Sequence, residues 1–166
     1  LPRMLSRVNV STADFRTVMG QFATGVTVVT ALDGDRPVGI TVNALTSVSL
    51  DPAIVVIALD RRRFIIPAID ASRRYAINVL AEAQVDLSRR FASAQPGRFD
   101  DGLWLDGAGG VPLLAGSVAT FECERASSQT AGDHRLYVGR VLAAAVQPLP
   151  PLLFHAGHYH LLGEIL

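Results

Sequence analysis

Between Gly25 and Asp60 the chain reads GVTVVTALDGDRPVGITVNALTSVSLDPAIVVIALD, one β-branched or alternating segment after another with no room between them for a helix. Strands that follow one another this closely cannot be joined by the long crossovers of a parallel sheet. The turn around Asp33-Gly34 reads as a hairpin, with Pro37 at the loop edge. AIVVIAL after Pro52 is apolar on both faces and is predicted to be a buried strand. Further strands are predicted at YAINVL, SVATFECERA and HRLYVGRVLAAAV, the last two flanking SSQTAGD, and FHAGHYHLL closes the chain as a final strand. Helical spacing appears in STADFRTVMGQFA, with Ser11 or Thr12 as N-cap and Phe15, Val18, Met19 and Phe22 on one face. A short helix interrupted by Pro67 is expected in RRRFIIPAIDASRR, and another in AEAQVDLSRRFAS. Residues 95–111 read as a glycine-rich loop carrying Trp104. The expectation is one domain over residues 1–166, mainly β with peripheral helices: an antiparallel barrel of six to seven strands.

Composition removes several classes of function. The 166 residues carry 15 basic and 15 acidic side chains, so no bulk charge is available to hold a nucleic acid. All the basic residues are arginine, and without lysine neither Schiff-base chemistry nor a Walker A loop is possible. No GxGxxG follows any strand, and no GxSxG elbow is present. Apolar runs such as Ala53 to Leu59 fall far short of the roughly 20 residues that span a bilayer, and LPRMLSRVNV has no apolar leader core. The single cysteine, Cys123, alternates with Phe121 in FECER and reads as a small core residue, which suits a reducing cytoplasm.

Three groups of residues carry chemistry. Read with a period of two, Thr41, Asn43, Leu45, Ser47 and Ser49 share one face of GITVNALTSVSLDP. That face is polar yet uncharged, so it suits either a wet strand surface or a wall that hydrogen-bonds a polar planar ligand. In AGDHRLYVGRV, His134 opens a strand, where it is either an exposed turn residue or a group that orients a ligand or handles a proton. His155, His158 and His160 crowd into HAGHYH, but His155 is out of phase with the others and no Cys, Asp or Glu completes a set, so no metal site is expected.

The segments FRTVMGQFATGVTVVT, PVGITVNALTSVSLDP, YAINVLAEAQ with RRFAS, GDHRLYVGRV and PLLFHAGHY, in this order, resemble the short-chain flavin reductases. These are reductase components of two-component flavin monooxygenases with an FMN-binding split-barrel fold. The resemblance implies an NAD(P)H-dependent reductase that passes hydride to FMN or FAD and supplies reduced flavin, by diffusion, to a separate monooxygenase. It implies a homodimer as well. It assigns Thr41, Asn43, Ala44, Ser47 and Ser49 to the flavin wall, with Val38, Gly39 and Ile40 approaching through backbone atoms. Asp60 falls at the end of the next strand, Arg90 and Phe91 face the cofactor, and His134 with Phe154, His155, Gly157 and Tyr159 lies on the nicotinamide side. The chain departs from the family pattern at Ala44, where a serine is usual, and in the dense run Arg61-Arg62-Arg63, whose Arg63 is a candidate phosphate contact. Two other readings stay open: a split-barrel protein that holds flavin or heme without NADH turnover, and a metal-dependent barrel enzyme using the C-terminal histidines.

Overall fold

The structure is a computed structural model that describes residues 10–93 and 99–165; the expectations for LPRMLSRVN and for residues 95–98 lie outside the described residues. Seven strands form the main sheet: β2 (Thr27–Asp33), β3 (Arg36–Val42), β4 (Leu45–Leu50), β5 (Ala53–Asp60), β6 (Arg74–Val79), β9 (Ala119–Ala131) and β10 (His134–Val146). Their order is β3-β2-β6-β9-β10-β5-β4, and every pairing is antiparallel. The two edge strands, β3 and β4, are consecutive in the chain and separated by only Asn43 and Ala44, so the sheet curls back on itself. The Ala58 N–H donates to the Ala44 carbonyl at 3.2 Å, which carries the β4–β5 ladder one residue into that link. This is a split antiparallel barrel with the strand number expected from the sequence.

A smaller sheet joins β1 (Thr24–Gly25), β11 (Leu153–His155) and β12 (His158–His160), and a two-stranded ribbon joins β7 (Trp104–Asp106) to β8 (Pro112–Leu114). These elements correct the sequence reading at two places. FHAGHYHLL is a hairpin rather than one strand, because Ala156 and Gly157 adopt φ of 48° and 84° and reverse the chain. The stretch read as a loop around Trp104 holds the ribbon instead. The helices are α1 (Thr12–Met19), N-capped by Ser11, α2 (Ile65–Ser72) and α3 (Val85–Ala92). Pro67 does not interrupt α2: it sits in the first turn, where its missing N–H has no intrahelical acceptor to lose. Among the described residues no helix is long and apolar enough to cross a membrane.

Two apolar cores result. The barrel interior is filled by Val29, Val38, Ile40, Ile57, Leu59, Tyr75, Ile77, Cys123 and Tyr137, and α2 plugs it with Ile65, Ala68 and Ile69. Asp70 of α2 binds that plug to the long hairpin, accepting from Arg125 at 2.9 Å, Arg135 at 2.6 Å and the Tyr137 hydroxyl at 3.1 Å. Outside the barrel, Val26, Val28, Leu80, Leu87, Phe91, Leu114 and Leu152 form a second core beneath α3. Asn78 links β2, β6 and β8 within the buried layer: its amide donates to the Val28 carbonyl at 2.9 Å and its oxygen accepts from Leu114 N at 2.8 Å.

The tightest packing lies where β10 crosses Tyr75. A Cβ built on Gly139 would stand 2.0 Å from the Tyr75 hydroxyl oxygen and 2.9 Å from the ring carbon that bears it. The β9–β10 register shifts between Val138 and Gly139, which lets the strand settle over the ring. Burial pushes the neighbouring Cys123 thiol up to about 12, as fits a packed side chain rather than a nucleophile. Gly139→Ala is expected to destabilise the fold by about 1–3 kcal/mol, the usual cost of overpacking. Adding Tyr75→Phe, which removes the clashing oxygen, should recover part of that loss in paired thermal melts; no recovery would show that the clash is relieved elsewhere.

Candidate functional site

Strand β5 separates two environments by its period of two. Val55, Ile57 and Leu59 point into the barrel, while Val56, Ala58 and Asp60 are half-buried on the opposite face. Its partner β10 does the same, with Tyr137 inside and His134 and Leu136 outside; Leu136 pairs with Ala58 and His134 with Asp60. The outer face, together with Thr46 of β4, makes the floor of a cavity of about 720 Å³. Its walls come from α1 and the chain that follows it (Phe15, Arg16, Met19, Phe22, Thr24), from the seam residues Asn43 and Ala44, and from Phe154 and Gly157 of the β11–β12 hairpin. The hairpin is held to α1 by the Ala156 N–H, which donates to the Gly20 carbonyl at 2.8 Å, and by the Thr24–Phe154 pairing.

One rung beyond Ala58 and Leu136 the floor becomes charged. Arg62 clamps Asp60 through its side chain, with Nε to Oδ1 at 3.0 Å and Nη2 to Oδ2 at 2.7 Å, and through its backbone N–H at 2.9 Å. Those bonds hold the Asp60 carboxyl well below the usual carboxylate range. His134 Nδ1 lies 2.8 Å from Asp133 Oδ1, a contact that likewise lowers the Asp133 carboxyl and fixes the ring at its Nδ1 side. His134 therefore lies on the floor face of β10, one rung beyond Leu136 and outside the residues that line the cavity, with Nε2 directed away from its carboxylate partner.

The cavity brings together Asn43, Ala44, Phe154 and Gly157 from the residues singled out in the sequence. The continuous polar face does not exist as such. The ladder breaks at Asn43 and Ala44, after which Thr46 stands opposite Val56 on the cavity side and Ser47 opposite Val55 on the core side; a bulge then sets Ser49 opposite Ile54, and neither Ser47 nor Ser49 lines the cavity. Thr41 donates its hydroxyl to the Ser88 carbonyl of α3 at 2.7 Å. Val38 and Ile40 fill the barrel interior, and the site a Gly39 Cβ would occupy lies 2.9 Å from the Phe91 ring. Phe91 is wholly buried, edge-on to Phe99 and Trp104 at 5.3 and 5.5 Å, and Arg90 is paired with Asp101. Arg63 gives its backbone N–H to the Asp60 carbonyl at 3.0 Å. His155 packs edge-on to His160 at 5.7 Å, and the Tyr159 hydroxyl shares a 2.8 Å hydrogen bond with Ser88 Oγ.

Sequence reasoning missed Phe15, Arg16, Met19, Thr24, Val56, Ala58 and Leu136. The signal for α1 was present, because Phe15 and Met19 stand at helical spacing, but that spacing reads as a face packed on the core. Instead α1 buries no residue, and Phe15 and Phe22 remain 57% and 72% exposed.

A family model described as the flavin reductase like domain matches residues 19–163. The chain belongs to this family. Among its curated relatives is the FMN reductase (NADH) SmoA of Agrobacterium fabrum, 44% identical over 146 residues that span 87% of this chain and 83% of SmoA. The flavin-dependent monooxygenase reductase subunit HsaB of Mycobacterium tuberculosis is 40% identical over 149 residues, spanning 87% of this chain and 79% of HsaB. Among solved structures, the NADH:FAD oxidoreductase SgcE6 of Streptomyces globisporus superposes with a TM-score of 0.90 at 35% identity, covering 98% of this chain and all of that one.

The cavity of this flavin reductase family member fits the group its family name implies. Its volume lies within the range of sites for drug-sized ligands. Thr24 Oγ1, on its wall, is buried without a hydrogen-bond partner, as expected of a donor kept for a ligand. Asn43 and Thr46 add neutral donors and acceptors, suited to a ring edge that offers both. The β11–β12 wall depends on the Tyr159–Ser88 bond, since Ser88 is wholly buried on α3. Tyr159→Phe is expected to cost about 1–3 kcal/mol of stability by stranding the Ser88 hydroxyl, and to weaken flavin binding. Thermal melts beside flavin titrations check this; unchanged values for both would mean that the wall stands without the bond.

Proposed function

We propose that the chain is an NAD(P)H-dependent flavin reductase that transfers hydride from a reduced nicotinamide to FMN or FAD and supplies the reduced flavin to a separate monooxygenase. The observation that carries this reading is the roomy cavity, walled mostly by apolar side chains and neutral hydrogen-bonding groups, with the unpartnered Thr24 hydroxyl buried in its wall and His134 one rung beyond Leu136 on the strand face that forms its floor. The relatives add direction, since SmoA is named an NADH-dependent FMN reductase and HsaB the reductase subunit of a monooxygenase.

When bound, the flavin supplies the hydride-accepting ring and the nicotinamide the hydride, so the chain's own part is orientation and exclusion of water. Asn43, Ala44 and Thr46 hold the polar edge of the flavin, while Phe154 and Leu136 give it apolar flanks. Asp133 holds the His134 ring by Nδ1, and His134 orients the nicotinamide through its other nitrogen. Asp60, fixed by Arg62, stands opposite His134 on that face. The whole chain acts as one domain. A cytoplasmic location goes with this reading and is supported by a buried, free Cys123.

NADH or NADPH oxidation is expected only when FMN, FAD or riboflavin is added. His134→Ala should raise the apparent KM for the nicotinamide or lower turnover by about two- to a hundred-fold, the worth of one hydrogen bond, and leave flavin affinity unchanged. No flavin-dependent rate with either nucleotide would favour a split-barrel protein that binds flavin or heme without turnover. Equal nicotinamide kinetics in the variant would return His134 to a turn residue.

The active form in this reading is a homodimer. Val18, Val48 and Leu50 are 54%, 58% and 90% exposed, and the last two lie on the unpaired edge strand β4, an apolar surface that a second copy can cover. Light scattering at micromolar concentration is expected to give twice the chain mass; the mass of one chain would refute the dimer.

A further inference from the structure

Of the described residues that line the cavity, Arg16 alone carries a charge. It stands on α1 between Phe15 and Met19, facing a recess whose other polar side chains, Thr24, Asn43 and Thr46, are neutral. Most described arginines elsewhere are committed, and Arg63, whose side chain has no partner among the described residues, does not line the cavity. Arg36, Arg62, Arg74, Arg89, Arg90, Arg125, Arg135 and Arg140 all form ion pairs, and Arg61 and Arg73 donate to carbonyls. The Arg16 guanidinium has no such partner among the described residues, and Asp14, the other charged side chain of α1, is engaged by Ser11 through its hydroxyl. A cation left unpaired beside an apolar wall gains most from an anionic ligand, and the planar fork of arginine matches a phosphate with two parallel hydrogen bonds.

We infer that Arg16 receives a phosphate group of the nucleotide bound in this cavity. The inference rests on the flavin reductase reading and deepens it. Among the described residues no other cation lines the recess. Neutralising a phosphate in the cavity therefore falls to Arg16. The same chemistry is carried by two nucleotides, the flavin with its ribityl phosphate and the nicotinamide dinucleotide with its pyrophosphate.

Equilibrium titrations of FMN, riboflavin and NAD⁺ against the wild type, Arg16→Gln and Arg16→Lys separate the two sources and test the contact. Wild type is expected to bind FMN more tightly than riboflavin. Arg16→Gln should weaken FMN by about 10- to 100-fold, the worth of a charge-assisted hydrogen bond, and leave riboflavin within about two-fold. Arg16→Lys, which keeps the charge and loses the fork, should fall between them. A loss confined to NAD⁺ would also support the phosphate contact and assign it to the dinucleotide. Equal losses for FMN and riboflavin, or unchanged affinity for both FMN and NAD⁺, would overturn the inference. Arg16 is exposed and outside both cores, so thermal melts of the ligand-free variants should match wild type; a large drop would make its role structural and also refute the inference. If wild type binds none of the three compounds, the flavin reductase reading fails first and the contact falls with it.

Discussion

Tyr75 lies at the centre of the barrel, wholly buried, and β10 can pass over it only because position 139 has no Cβ. Much of the structure follows from that contact. β10 is hydrogen-bonded to β9 on one side and β5 on the other, so the height at which it crosses the ring sets the position of both ladders. Its inward residue Tyr137 then reaches Asp70, which also takes Arg125 and Arg135 and so fixes α2 as the plug of the barrel. Its outward residues, Leu136 and His134, fall on the opposite face at the same register. Packing in the core and placement of the site are two sides of one strand.

That two-sidedness explains the chemistry of the cavity. The floor is the outer face of strands whose inner face is committed to the core, and it stays apolar until the strand ends, where Asp60, Arg62, Asp133 and His134 meet solvent. A planar ligand can rest against such a floor without a buried charge to desolvate, while its polar edge finds the amide of Asn43 and the hydroxyls of Thr24 and Thr46. The seam between β3 and β4 is essential to this. β3 passes to β4 through two residues that belong to no strand; their carbonyls accept from Leu45 and Ala58, and their side chains are left to line the cavity.

Much of the fold was legible in the sequence because it is written in local rules. The period of two in VTVVTA and AIVVIALD, the Asp33-Gly34 turn and the Ser11 cap each act within a few residues, and β2, β5, the first hairpin and α1 all follow from them. Errors came where a local rule met a tertiary exception. Pro67 was read as a break but occupies the first turn of α2, and FHAGHYHLL alternates like a strand but folds back at Ala156 and Gly157.

For the site, the sequence by itself determined the family, through ordered motifs, and the uncharged character of the segment around Asn43. It also excluded lysine chemistry and the glycine-loop nucleotide folds, because those depend on residue types that are absent. Only the tertiary structure decided which neutral groups face the cavity. The break at Asn43 and Ala44 shifts a parity that alternation alone would have kept, so that Thr46 rather than Ser47 stands beside Val56, and Thr41 is drawn off by a carbonyl on α3 distant in sequence. Nor could periodicity tell that the apolar stripe of α1 looks into a cavity rather than onto a core, since burial depends on what the rest of the chain brings opposite it.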